Sequence, residues 1–320
     1  LKFQILVKSL TKSDISIRQI TAITSSYSDA VIRRVVELVQ QEIGYAPVEF
    51  AFICLGSEGR KEETLFTDQD NAIIYEDLPV ESSESVQEYF YKLGEKVSDA
   101  LDLIGYSYCK GNIMAKNQQW CKPYSVWESY FNSWMTTPEP QNLLDAIIFF
   151  DFRCVYGKEE LTERLRSSIR NTVRNKPLFL YHLAYHTCMT KPAHISGSIL
   201  SDKSADMIDL KLAILPIVMF ARTYAIKNSI WYTNTMERLL AIKERQVISE
   251  AMADDLIYIY NYLMRLRLRN QADLSDKNAP LSNMLNVKKL IDIELYILKK
   301  ALSSIPDYQA KIKTDFSVSN

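Results

Sequence analysis

A chain of 320 residues, 47% hydrophobic and 24% charged, is long enough for two domains with a sizeable core, and its 8 glycines and 10 prolines argue against a collagenous or disordered polymer. A formal net charge of −1 excludes broad electrostatic attraction to nucleic acid or to an anionic membrane, although a local basic pocket remains compatible with it. Five scattered cysteines (Cys54, Cys109, Cys121, Cys154 and Cys188) contain no C-x-x-C pair, which fits reduced thiols in a cytoplasmic protein better than a disulfide framework or a zinc site.

The first residue is Leu1 rather than Met, so the expectation is a segment of a longer polypeptide, without a signal peptide at this end. Apolar residues from Ile17 to Val39 recur at spacings of three and four and predict a helix that stops at Gly44. Residues 48–55 then read as a buried strand running directly into Gly56, and residues 71–75 as a second strand ended by Asp77 and Pro79. An amphipathic helix is expected over 85–103 and a third strand within 106–115, interrupted by Gly111. From about Ser125 onward the spacing predicts helices over 141–156, 158–171, 177–190, 205–227, 234–244, 247–270 and 284–303, with breaks near Pro138, Pro177, Pro192 and Pro280. The longest apolar run, Leu212 to Ala221, contains Pro216 and is too short to span a bilayer. The fold expected is therefore α+β: a helical segment over 1–45, a small mixed-sheet domain over 46–160 and an all-helical domain over 161–320.

The stretch from Leu55 to Asn71 carries the chemistry. A buried strand ends in Gly56-Ser57, where glycine allows close approach of a ligand and backbone N–H groups can cradle phosphate oxygens. Ser57 adds a hydroxyl, and Arg60 a planar fork of donors suited to phosphate. Asp68 and Asp70 stand two apart at the start of the second strand, so both carboxylates project from one face. Two like charges held so close call for a cation, and a small set of hard oxygen ligands suits Mg²⁺. Either motif alone is a common turn or strand end. Their succession on strand, turn and strand is what makes the pattern specific.

That G-S-x10-D-x-D pattern resembles the signature of the polymerase-β-like nucleotidyltransferase superfamily. The fuller string GSEGRKEETLFTDQDNAIIYED resembles a bacterial nucleotidyltransferase family usually found downstream of cyclic-nucleotide-binding and CBS domains and related to the uridylyltransferase of nitrogen-signalling (PII) proteins. Residues 108–117 with Trp120, residues 149–157, Ile208-Asp209-Leu210-Lys211 and residues 265–271 resemble later motifs of the same family in the same order. The resemblance implies that Gly56 and Ser57 bind the triphosphate and that Asp68 and Asp70 bind Mg²⁺ or Mn²⁺. It implies transfer of a nucleoside monophosphate from an NTP to a hydroxyl of a protein or small-molecule acceptor, with sensory domains upstream. The alternative is a regulatory module of a signal-transduction protein that binds Mg-nucleotide without turnover. Much of the superfamily adds a third carboxylate from a later strand, but segment 106–115 has no acidic residue. Asp151, read as helical and as a partner for Arg153, is the nearest substitute.

Lys211, Arg265 and Arg267 are candidate substrate contacts in the helical half, with Arg222 and Arg238 behind them. His182 and His186, four apart with His194 nearby, have zinc-compatible spacing but no H-E-x-x-H pattern, and read as core histidines. The apolar stripe of 284–303 is a candidate homo-oligomer face. Nucleic acid and membrane are not expected partners.

Overall fold

The computed structural model describes residues 2–11, 13, 15–79, 83–136, 147–191, 193 and 207–318. They form two compact units, one made of Thr21–Glu63 and Thr67–Phe179, the other of Leu1–Ile20, Thr64–Phe66 and Leu180–Asn320. The architecture is the α+β one expected, a small mixed sheet with helices followed by a largely helical half. Among the described residues no helix is long and apolar enough to cross a membrane.

In the first unit, helix α2 (Ile17–Ile43, which begins in the other unit) ends at Gly44, whose φ of +96° lets the chain leave the helix. Strand β1 (Phe50–Cys54) follows, then a single helical turn α3 (Gly56–Gly59), strand β2 (Asn71–Tyr75) and helix α4 (Ser83–Leu103). A short strand β3 (Cys121–Pro123), helix α5 (Tyr124–Thr136), strand β4 (Arg153–Gly157) and helix α6 (Glu159–Val173) complete it. The sheet order is β3-β2-β1-β4, with β1 antiparallel to both neighbours and β2 parallel to β3. All residues of β1 and β2 are buried, as central strands covered on both faces require. On one face Phe50, Phe52, Cys54, Ile73 and Tyr75 pack against Val36 and Val39 of α2 and Phe90, Leu93 and Val97 of α4. Tyr75 stacks on Phe90 at 4.4 Å between ring centroids. On the other face the Trp127 indole of α5 donates a hydrogen bond to the Ile73 carbonyl (3.0 Å), which satisfies its one polar atom in the core.

The second unit contains α1 (Lys2–Thr11), most of α7 (Pro177–Met189), β5 (Met207–Asp209), α8 (Leu210–Lys227), α9 (Thr235–Glu244), α10 (Glu250–Asp276), β6 (Met284–Asn286) and α11 (Asp292–Asp315). Helix α8 is buried along most of its length and packs against α9, α10 and α11. Its first turn is capped by the Asp209 carboxylate, which accepts from the N–H groups of Lys211 and Leu212.

Several elements differ from the sequence expectation. Segment 106–115 is not a strand: its one ladder contact is an isolated parallel bridge between Ser107 and Asp68. The parallel partner of β2 is instead β3, a few residues later. Residues 153–156, expected at the end of a helix over 141–156, form β4 with Gly157, because Arg153 and Val155 alternate inward and Gly157 (φ +90°) closes the strand. The helical half carries a two-stranded ribbon, β5 with β6, where helices over 205–227 and 284–303 were expected to start. Residues 141–146 and 205–206 of the expected helices, Pro138, Pro192 and His194 lie outside the described residues.

Candidate metal and phosphate site

The antiparallel register of β1 and β2 pairs Cys54 with Asn71, so the residues just beyond the ends of these strands meet at one edge of the sheet. The Leu55 N–H donates to the Asp70 carbonyl at 2.8 Å. Gly56-Ser57 and Asp68/Asp70 are thereby brought together although ten residues separate Ser57 from Asp68. Gly56 has φ +54°, and a Cβ on it would stand 2.7 Å from Asp70 Oδ2. Glycine is required twice, for the backbone angle and for the carboxylate lying against it. The helical turn beginning here has N–H groups without intrahelical acceptors, as the first turn of any helix does. Ser57, on this turn, is half-buried.

Asp68 and Asp70 are half-buried while Gln69 between them is fully buried, the alternation of an extended segment. The Gln69 side-chain amide donates to the carbonyls of Ser98 (2.9 Å) and Tyr106 (2.8 Å), which fixes which face its neighbours present. Segment 107–115 is tied to the same stretch at three points. Gln69 N–H donates to Ser107 O (2.9 Å), Asn71 N–H to Ile113 O (3.2 Å), and Ala115 N–H to the Asn71 side-chain oxygen (2.8 Å). Between these ties the chain turns through Cys109 to Asn112, the latter at φ +56°. The turn places the Cys109 thiol beside Asp68 and Asp70, and one ligand atom of each lies within 4.8 Å of the other two. Burial, then the Asp70 charge, pushes the Cys109 thiol up to about 11. Among the described residues this is the one group of three or more His, Cys, Asp or Glu side chains so placed. Two carboxylates and a thiol converging at this range fit a single divalent cation.

Behind the turn lies a buried charged layer. Glu58, Glu62, Glu63 and Asp151 are all almost fully buried. Burial, reinforced by Glu63 and Asp70, holds the Glu58 carboxyl well above the usual range. Burial likewise raises Glu63 from 4.5 to about 7, against a hydrogen bond from Ser25 that lowers it. Arg153, whose charge lowers both Glu58 and Glu63, makes a two-pronged pair to Asp29 (2.6 and 2.8 Å) and donates from its Nε to the Glu58 backbone carbonyl (3.1 Å).

The other expected site residues make contacts within their own units. Arg60, expected on phosphate, has its guanidinium 2.7 Å from Glu62 and 3.2 Å from Asp151, with 13% of its side chain exposed. Asp151, expected in a helix with Arg153, sits in the turn before β4 and pairs with Arg60. It is completely buried, which removes it from the reach of an acceptor. Lys211, Arg265 and Arg267 belong to the helical unit. Arg267 is buried and donates to Asn283 (2.8 Å), Arg265 reaches the Ile15 carbonyl (3.3 Å), and Lys211 is exposed at the start of α8. Arg222 and Arg238 are buried in the same unit, Arg238 donating to the Tyr232 carbonyl (2.6 Å). Neither His182 nor His186 joins a group of three ligands among the described residues. Cys109, Glu58 and Glu63 were not singled out from the sequence. The usable signal for Cys109 was its position in a segment expected to pair beside the D-x-D strand.

Residues 2–141 match the family described as Putative nucleotidyltransferase DUF294. Residues 177–316 match the one described as Putative nucleotidyltransferase substrate binding domain. No curated protein matches the chain.

Proposed function

We propose that this chain, which carries a nucleotidyltransferase domain followed by the associated substrate-binding domain, transfers a nucleoside monophosphate from an NTP to a hydroxyl acceptor and releases pyrophosphate. The acceptor hydroxyl oxygen attacks the α-phosphorus, the bond to the bridging oxygen breaks, and the hydroxyl proton leaves to a base or to solvent. The observation that carries this reading is the placement of the Asp70 carboxylate against Gly56 while it converges with Asp68. A phosphate-holding turn and a cation-holding carboxylate pair then share one edge of the sheet.

Asp68 and Asp70 would hold Mg²⁺ or Mn²⁺, which supplies charge neutralisation and alignment for the triphosphate oxygens. Ser57 and the N–H groups of its turn orient the triphosphate by hydrogen bonding. Gln69, bonded through its N–H to Ser107 and through its side chain to Ser98, and Asn71, bonded to Ile113 and Ala115, keep the two carboxylates from rotating away. Arg60, paired with Asp151, and Arg153, paired with Asp29 and bonded to the Glu58 carbonyl, hold the backbone of the turn in place. The acceptor is a protein side chain or a small molecule, as in uridylyltransferases of signalling proteins, and upstream sensory domains would regulate it in the cytoplasm.

A second reading, Mg-nucleotide binding without turnover as a regulatory module, is favoured by one observation: among the described residues the group that would hold the cation contains two carboxylates and a thiol and no third carboxylate. Incubation with labelled ATP, UTP, GTP and CTP, Mg²⁺ or Mn²⁺ and candidate acceptors separates the two. Labelled product and pyrophosphate that vanish in Asp68→Ala and Asp70→Ala support transfer. Cation-dependent nucleotide binding with no pyrophosphate from any pairing identifies the binding module, and equal behaviour of wild type and both variants rules out the site.

A further inference from the structure

We propose that Cys109 supplies the third protein ligand of the cation site, making it a mixed oxygen–sulfur site that prefers a borderline divalent ion such as Co²⁺ or Zn²⁺ over Mg²⁺. The inference rests on the reading of Asp68 and Asp70 as cation ligands and goes beyond it in naming the donor set and the selectivity that follows.

The thiol is held in place by the fold. Ser107 and Ile113 accept from Gln69 and Asn71, so the five residues between them span a fixed gap beside Asp70. Inside that gap the Asn112 N–H donates to the Cys109 carbonyl (3.0 Å), and the Cys109 N–H points at the Met114 sulfur (3.3 Å). The left-handed backbone at Asn112 closes the turn, a conformation that asparagine tolerates better than most residues. The Cys109 side chain therefore faces the carboxylates because its backbone is tied on both sides. Of the five free cysteines, Cys54, Cys121 and Cys188 are buried, and Cys109 is the one grouped with carboxylates among the described residues.

Ligand softness turns this geometry into selectivity. Mg²⁺ demands near-octahedral oxygen ligation and retains waters, so a sulfur adds nothing to its binding. Affinity for nitrogen, oxygen and sulfur sites rises from Mn²⁺ through Co²⁺ to copper and falls again at Zn²⁺, and a thiolate ligand favours the softer Co²⁺ and Zn²⁺ further. Coordination forms a metal–sulfur bond and releases the thiol proton to solvent. With the thiol grouped with both aspartates, a softer ion gains a third anchor from the protein that Mg²⁺ does not use.

The test uses Cd²⁺ as the probe on the full chain, read by the near-ultraviolet sulfur-to-metal charge-transfer band, with Mg²⁺ as competitor. Wild type is expected to show a band saturating at one Cd²⁺ per chain that Mg²⁺ displaces only in large excess. In Cys109→Ser the band disappears and the Cd²⁺ to Mg²⁺ affinity ratio falls by at least about tenfold. In Cys109→Asp, which supplies an oxygen ligand in place of sulfur, Mg²⁺ binding strengthens while the band stays absent. In Asp70→Ala the band is lost or weakened with Cys109 intact. An unchanged band in Cys109→Ser, or an unchanged band in Asp68→Ala/Asp70→Ala, overturns the proposal. Cd²⁺ that binds wild type through the aspartates with no band overturns it too, and leaves the carboxylate site standing. If neither Cd²⁺ nor Mg²⁺ binds wild type, the carboxylate site falls with it.

Discussion

At the scale of single residues, Gly56 is the position at which the site is most exposed to damage. Any side chain there meets the Asp70 carboxylate and must also adopt φ +54°. Gly56→Ala is expected to displace that carboxylate and abolish cation-dependent nucleotide binding, measured by calorimetry, while the far-ultraviolet circular dichroism stays native because the contact is with the end of a side chain. Glu63 yields a pH prediction. Its folded carboxyl titrates at about 7 against an ordinary 4.5, so the native state binds its proton more tightly. Its contribution to stability is fully present below about 4.5 and is lost as pH rises through about 7. Glu63→Gln removes that dependence: relative to the variant, wild type is expected to lose melting temperature between pH 5 and 8, and parallel curves would contradict the assignment. The aspartates and the glycine could be found in the sequence because their spacing encodes a local geometry. The partners of Arg60 and Arg153 could not, because they depend on long-range register: Asp151 lies ninety-one residues from Arg60, and Asp29 one hundred and twenty-four from Arg153.

At the scale of elements, the site is a property of the β1–β2 pair and of the chain that flanks it. Both strands were legible because they are short, almost entirely apolar and bounded by turn residues. Segment 106–115 was misread because its mix of polar and apolar residues suits a strand on paper, although Gly111 interrupts it. In the fold its hydrogen bonds go to Gln69, Asn71 and its own turn instead of to a ladder. Strand β4 was hidden by the aromatic run before it, which has helical spacing. Two element-level predictions follow from packing. A Cβ at Gly59 would stand 1.7 Å from the Asp151 carbonyl oxygen and 2.9 Å from that of Cys54, both backbone atoms. Gly59→Ala is therefore expected to prevent α3 from seating between β1 and β4, with loss of soluble folded protein on size-exclusion chromatography. Arg153→Met leaves Asp29 without its paired guanidinium and is expected to cost about 3–5 kcal/mol in urea denaturation. The double variant Arg153→Met/Asp29→Leu should recover much of that loss, and equal destabilisation of single and double variants would argue against the pair.

At the scale of the whole molecule, the α+β division was legible in the change of apolar periodicity along the chain. The helical half reads clearly because α8, α10 and α11 carry long stretches of three- and four-residue spacing and side-chain or glutamate caps. The small β5–β6 ribbon was not legible: three-residue strands leave no periodic signal, and their pairing joins residues nearly eighty apart. The same separation of scales explains the roles of the cationic residues. Arg267, expected on substrate, bonds Asn283, which also accepts from Gln271, so it organises the interior of its own unit. The central claim remains the convergence of Gly56, Asp68 and Asp70 on a divalent cation and a nucleotide. Titration calorimetry of each NTP into wild type and Asp68→Ala/Asp70→Ala, with Mn²⁺ and then with EDTA, tests it most directly. Binding that requires both Mn²⁺ and the two aspartates is the predicted result, and nucleotide binding that survives EDTA or the double variant would contradict it.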